Sequence, residues 1–252
     1  MISKTKLSEL VKQFRWKEVD AALAERPELL SVRDQRGRNW LHLCCGVNPK
    51  RAKLKAEDSV KTAELLLRRG LDINQEAFTE GDWKATPLWF AIARGENLTL
   101  AQYLLKRGSN SNYCLWAAAF VENIEAIRLL VRHAANVNDP SVDESPFLGA
   151  IKWSHFKAAE ELLELGADVN YQDSKGMTAL HYMLKKASDK KHFAMLLRHG
   201  ARGDIKNKDG VTAAEIMRQK KDSQFRAMAD QLLSVRASRA GAMRGRELKF
   251  RV

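Results

Sequence analysis

Cysteine and proline are scarce in this chain: three and five residues among 252. The cysteines are Cys44, Cys45 and Cys114. Their number is odd, two are adjacent, and all lie in apolar stretches, so no disulfide framework is expected and reduced core thiols are. No Cys-x-x-Cys pair occurs, which removes the common zinc spacings. No apolar run approaches the ~18 residues of a membrane span. The opening Met1-Ile2-Ser3-Lys4-Thr5-Lys6 lacks the apolar core of a signal peptide. A cytoplasmic location without membrane association is therefore expected, and delivery into a host cell is compatible with it.

The signatures of common chemistries are missing too. There is no Gly-x-x-x-x-Gly-Lys phosphate loop, Gly-x-Gly-x-x-Gly turn, Gly-x-Ser-x-Gly elbow or His-Glu-x-x-His metal pair. The six histidines do not converge on partners by sequence. Glu160, Glu161 and Glu164, beside Lys157, read as one solvated helix face. The expectation is no enzyme, no catalytic residue, no metal and no cofactor. Acidic residues are outnumbered, 31 against 43 Lys and Arg, for a net charge of +12. Such a balance favours acidic proteins or nucleic acid as partners, or serves solubility alone.

What the chain does have is a recurring block, Leu-Leu-x-x-Gly-x-x-x-Asn. It reads Leu66 to Asn74, Leu104 to Asn112 and Leu162 to Asn170, with variants from Leu130 to Asn138 and from Leu196 to Asp204. The marker positions 70, 108, 134, 166 and 200 are 38, 26, 32 and 34 residues apart. A second block precedes each close except the variant at Ala134: Asn39-Trp40-Leu41-His42, Thr86-Pro87-Leu88-Trp89, Ser145-Pro146-Phe147-Leu148 and Thr178-Ala179-Leu180-His181. Apolar residues such as Leu98, Ala101, Tyr103, Leu104 and Leu105 follow helical spacing. A Gly after Leu-Leu ends a helix in the left-handed conformation. Thr-Pro or Ser-Pro starts the next, because Pro suits an opening turn and the hydroxyl caps it. Asp173-Ser174-Lys175-Gly176 and Asn207-Lys208-Asp209-Gly210 are turn formers. Helices this short are unstable alone, and stacking buries their apolar sides.

A period near 33 with these two blocks resembles the ankyrin-repeat family. The best matches are Gly176-Met177-Thr178-Ala179-Leu180-His181 and Gly166-Ala167-Asp168-Val169-Asn170. The resemblance covers residues 5–233 and implies an all-α solenoid of stacked helix pairs joined by short β-hairpins or turns. Residues 1–33 read as N-terminal capping helices. Five repeats follow at 34–79, 80–112, 113–138, 139–170 and 171–204, then a C-terminal capping repeat at 205–233. Two departures stand out. Repeat 113–138 has almost no hairpin, and the first repeat carries about ten extra, basic residues between its helices around Gly46 to Lys55.

The resemblance implies a non-enzymatic scaffold that grips another protein with its concave face, as adaptor, effector or inhibitor. That face would be lined by hairpin tips and by two residues closing each first helix. In this register they are Gly46/Val47, Ala93/Arg94, Phe120/Val121, Lys152/Trp153, Lys185/Lys186 and Gln219/Lys220. Trp83, in a hairpin, is the further candidate for an exposed finger residue, whereas Trp89 is expected to be packed. The candidate partner-binding set is thus Trp83, Arg94, Phe120, Val121, Lys152, Trp153, Lys185, Lys186 and Lys220. An aromatic residue flanked by cations is hot-spot composition, and the partner surface should be acidic and partly apolar. A one-residue shift of register would instead put Phe120 and Trp153 in the core.

Residues 234–252 form a basic tail: Arg236, Arg239, Arg244, Arg246, Lys249 and Arg251 against Glu247. A solvated, flexible tail is the simpler expectation. Its alternating end, Leu248 to Val252, could also add to a partner as a strand. The alternative function is a nucleic-acid-associated factor using this tail and the basic loop. The chain is expected to be a monomer.

Overall fold

The computed structural model describes residues 2–79, 83–139 and 144–233. The basic tail, residues 234–252, lies outside the described residues. The chain divides into two units, Met1–Asp139 and Pro140–Val252.

The first unit is built from four helix pairs: α1 (Lys4–Lys12) with α2 (Trp16–Glu25), α3 (Trp40–Cys45) with α4 (Ala56–Arg68), α5 (Pro87–Ala93) with α6 (Leu98–Lys106), and α7 (Cys114–Phe120) with α8 (Ile124–Arg132). First helices pack in succession, α1 on α3, α3 on α5 and α5 on α7. Second helices form a parallel row, α2, α4, α6 and α8. Leu7, Leu23, Leu41, Leu66, Leu88, Leu104 and Leu130 are fully buried between the rows. One β-hairpin, β1 (Ala77–Phe78) and β2 (Lys84–Ala85), is antiparallel with Ala77 opposite Ala85.

In the second unit α9 (Pro146–Trp153) pairs with α10 (Phe156–Glu164), and α11 (Ala179–Lys185) with α12 (Lys190–Arg198). Then comes α13 (Ala213–Gln219), packed on α11, and a helix α14 over residues 223–233. Phe147, Phe193, Leu162 and Leu196 centre this core. Phe156 stacks on His192 with ring centroids 3.6 Å apart, so His192 is half-buried. Glu161 departs from the solvated face expected of α10: it is buried, on the side turned to the core.

Local chemistry explains where each pair starts and stops. Thr86 and Ser145 cap α5 and α9 by accepting the amides of Trp89 and Leu148, with Pro at the first helical position. The second helices α4, α6, α8, α10 and α12 end on residues with positive φ: Gly70, Gly108, Ala134, Gly166 and Gly200. Only the fourth pair has a residue with a β-carbon there. The Asn of the repeated block reaches forward: Asn74 Oδ1 accepts the Asn110 amide at 2.8 Å, and Asn170 Oδ1 accepts that of Arg202 at 2.7 Å. That bond fixes the register of one repeat on the next. Tyr113, left-handed at φ 62, turns the chain straight into α7 without a hairpin.

The inserted segment of the first repeat makes a tight turn over residues 49–53 before α4. Pro49 is buried while Lys50, Arg51 and Lys53 are exposed, and Arg51 pairs with Glu96 at 2.8 Å. Cys44, Cys45 and Cys114 are buried free thiols. Burial, with nothing to stabilise a thiolate, pushes all three pKa values up.

Candidate functional site

The two first-helix histidines are structural. His42 is buried: its Nδ1 accepts the Asn39 amide at 3.2 Å and its Nε2 faces the Gln75 carbonyl at 2.8 Å. His181 repeats this, with Nδ1 on the Thr178 amide at 3.2 Å and Nε2 on the Val211 carbonyl at 3.2 Å. Each ring caps its own helix and holds the following finger. Burial depresses both pKa values, that of His42 to about 4.

In the first unit, Phe120 closes α7 and is 39% exposed, stacked on Trp116 at 5.4 Å. Val121 caps that helix and is half-buried. Arg94 caps α5 and is exposed. Trp83 corrects the expectation of an exposed finger residue. It is half-buried because Trp89 and Tyr113 meet its ring edge-on at 4.9 and 5.1 Å. Trp89 is packed, as expected, at 8% exposure.

The structure also gathers beside Arg94 three cations that the helix-end register did not contain, Lys12, Arg36 and Arg38. Lys12, Arg36, Arg38 and Arg94 line one groove of about 390 Å³. Arg36 and Arg38 lie in the first finger turn, Asp34-Gln35-Arg36-Gly37-Arg38, which aligns with the later turns at Asp173 and Asn207. The sequence signal for them lies at fingertip positions, outside the helix ends.

In the second unit, Trp153 closes α9 and is 53% exposed. Lys152, beside it, corrects the expectation of a free surface cation. Its Nζ lies 2.6 Å from Glu144 and 3.5 Å from Asp173, and 4.7 Å from the centre of the Tyr182 ring. Burial would lower its pKa, but the hydrogen bond and charge of Glu144, with Tyr182 and Asp173, hold it above the usual lysine value. Tyr182 donates to Asp173 at 2.5 Å. Lys152 is thus committed to Glu144 of its own repeat and to Asp173 and Tyr182 of the next. Lys185 is exposed at the end of α11 and without an ion-pair partner among the described residues. Lys186 is exposed and donates to the Lys152 carbonyl and to Ser154 Oγ. Lys220 caps α13, at the helix end where the register has it, and is half-buried, 5.5 Å from the centre of the Phe225 ring. Lys175, Lys185 and Lys208 line a finger groove with Tyr182 and Met177.

A family described as ankyrin repeats (3 copies) matches residues 88–173 and 114–209. Among curated proteins, the phosphocholine transferase AnkX of Legionella pneumophila is 32% identical over 142 residues, 51% of this chain and 14% of that protein. Human ankyrin repeat and SOCS box protein 6 is 32% identical over 128 residues, 44% of this chain and 30% of that protein. The chain therefore spans less than a third of the length of these two relatives. Among solved structures, the human ASB11 ankyrin repeat domain superposes with a TM-score of 0.68 at 21% identity, over 89% of this chain and 96% of that one. The ankyrin repeat domain of Bcl-3 gives 0.68 at 19%, over 88% and 96%. Repeat signatures, inter-repeat bonds and both kinds of likeness agree: the chain is an ankyrin-repeat protein.

Proposed function

We propose that this protein binds another protein through the exposed ends of its first helices and the adjoining finger turns, the concave-face mode implied by the family, and that it catalyses no reaction. One observation carries the reading. Among the described residues the exposed large hydrophobics are Phe78, Phe120 and Trp153, and two of these three are the closing residues of first helices. An indole left half in water gains on the order of 2 kcal/mol when a partner covers it. Lys185 and Lys186 are exposed in the same repeat family position, so the surface that fits is acidic and partly apolar.

A binding role accords with the chemistry of His42 and His181, whose ring nitrogens are spent on backbone groups. The transferase activity named for AnkX is not carried over, because the match covers 14% of that protein. The role as adaptor, effector or inhibitor, a cytoplasmic location and a monomeric state belong to the same proposal.

The test is affinity capture with immobilised wild type, Phe120→Ala, Trp153→Ala and a second-helix control, Gln102→Ala. A partner retained by wild type and control, and weakened about 30-fold or more by Trp153→Ala, supports the reading. A partner held equally by all four forms overturns it.

A further inference from the structure

Two finger turns of the second unit brace each other. Asp173 Oδ1 accepts the amides of Lys175 and Met177, and Asn207 Oδ1 accepts those of Asp209 and Val211, each at 3.0 Å, so each turn is locked from within. The Lys208 amide donates to the Lys175 carbonyl at 3.0 Å. Gln172 Nε2 bridges the turns by donating to the Gly176 carbonyl at 2.8 Å and the Lys206 carbonyl at 3.0 Å. This backbone is ordered before any partner arrives, which lowers the entropic cost of binding to it.

Between these turns and the end of α11 lies a groove of about 460 Å³, within the size range of ligand sites. Its lining includes Lys175, Lys185 and Lys208, all exposed and without an ion-pair partner among the described residues. Asp209 is the one carboxylate of the lining, which leaves an excess of about two positive charges. Met177 and Tyr182 are half-buried and supply apolar surface. The Tyr182 hydroxyl is engaged by Asp173, and Lys152 answers the charge of that acid.

Spacing decides what fits. With the inter-turn bond at 3.0 Å, standard bond lengths keep the Cα atoms of Lys175 and Lys208 within about 7 Å of each other. In an extended chain, residues i and i+2 face the same side and are also about 7 Å apart. A phosphate backbone offers acceptors alone and sets its charge against Asp209, whereas a peptide backbone has N–H groups for that carboxylate.

We infer that this groove binds an extended acidic segment of a partner protein, with carboxylates at alternate positions on Lys175 and Lys208, within reach of Lys185, and an apolar side chain on Met177 and Tyr182. The inference rests on the proposed protein-binding role and deepens it by naming the chemistry of one contact. It uses neither Phe120 nor Trp153.

The experiment is fluorescence anisotropy of the full chain with a labelled peptide, Leu-Thr-Glu-Thr-Glu-Thr. Its Gln-for-Glu analogue and a six-nucleotide DNA strand are the comparison probes. The peptide should bind, and the other two should bind about tenfold more weakly or not at all. The Kd should rise about tenfold in the Lys175→Glu, Lys208→Glu double variant and about threefold in Lys185→Glu. It should stay unchanged in Lys157→Glu, an exposed charge reversal on α10 of the same unit. Circular dichroism verifies folding, and Lys185→Glu, outside both turns, carries the test if the double variant unfolds. Absence of peptide binding, equal binding of the Gln analogue, groove variants that bind like wild type, an equal loss in Lys157→Glu, or tighter binding of the DNA would each overturn the inference. None of these variants alters Phe120 or Trp153, so this inference and the capture experiment fail separately.

Discussion

At the scale of single residues, Trp153 and Ala134 mark opposite kinds of departure from the repeat. Trp153 places an indole, 53% exposed, at the end of a first helix. Ala134 sits at φ 62 in the position where four other repeats have glycine. A β-carbon there meets the following carbonyl, at a cost of about 1–2 kcal/mol that glycine avoids. Glycine also loses more freedom on folding, which offsets part of that gain. Gly70, Gly108 and Gly166 occupy open space at the equivalent position, so packing does not require the methyl there. Ala134→Gly should raise the unfolding free energy by about 0.5–1 kcal/mol in urea titrations; a decrease would show that the methyl packs usefully. Gly95 is the reverse example: a β-carbon would lie 2.3 Å from the Cys45 carbonyl, so only glycine allows this close approach.

At the scale of elements, the caps on the first helices also tie repeats together, which makes stability depend on pH. His42 is neutral when folded, with its pKa depressed by burial from 6.5 to about 4. The unfolded chain binds the proton near 6.5 and the folded one does not. The stabilisation is therefore present above pH 6.5 and lost as pH falls toward 4. Between pH 7 and 5 the loss is about 2 kcal/mol for this one ring. His181, also depressed by burial, acts in the same direction. Denaturant titrations at the two pH values should show this drop in wild type and a shallower one in His42→Gln. Equal slopes would place the pH dependence elsewhere. Helix starts and stops were legible in the sequence because caps, Pro and Gly act locally. The partners of the helix ends were not. Glu144 and Asp173 lie eight residues before and twenty-one after Lys152, and only folding brings their carboxylates to it.

For the whole molecule, the charge of +12 bears on which partners are held specifically. A phosphate-dominated interaction weakens steeply with salt because counterions are released, whereas a contact dominated by buried aromatics does not. Binding to generic DNA should therefore drop by at least tenfold between 50 and 200 mM salt, and the captured partner should be retained over the same range. Salt-insensitive DNA binding would favour the nucleic-acid role over the one proposed. The sequence by itself determined the repeat, its caps, its turns and the core positions. These follow from spacing along the chain and from the conformations of Gly, Pro and small polar residues. Only the tertiary structure decided which surface groups are available. It half-buried Trp83 in an aromatic cluster, committed Lys152 to two carboxylates, and left Trp153 half-exposed. It also brought Lys12, Arg36, Arg38 and Arg94 into one groove from positions spread over more than eighty residues. The physical reason is that caps and helices arise from neighbours in sequence, while the exposure and pairing of a charge depend on groups that only stacking makes adjacent.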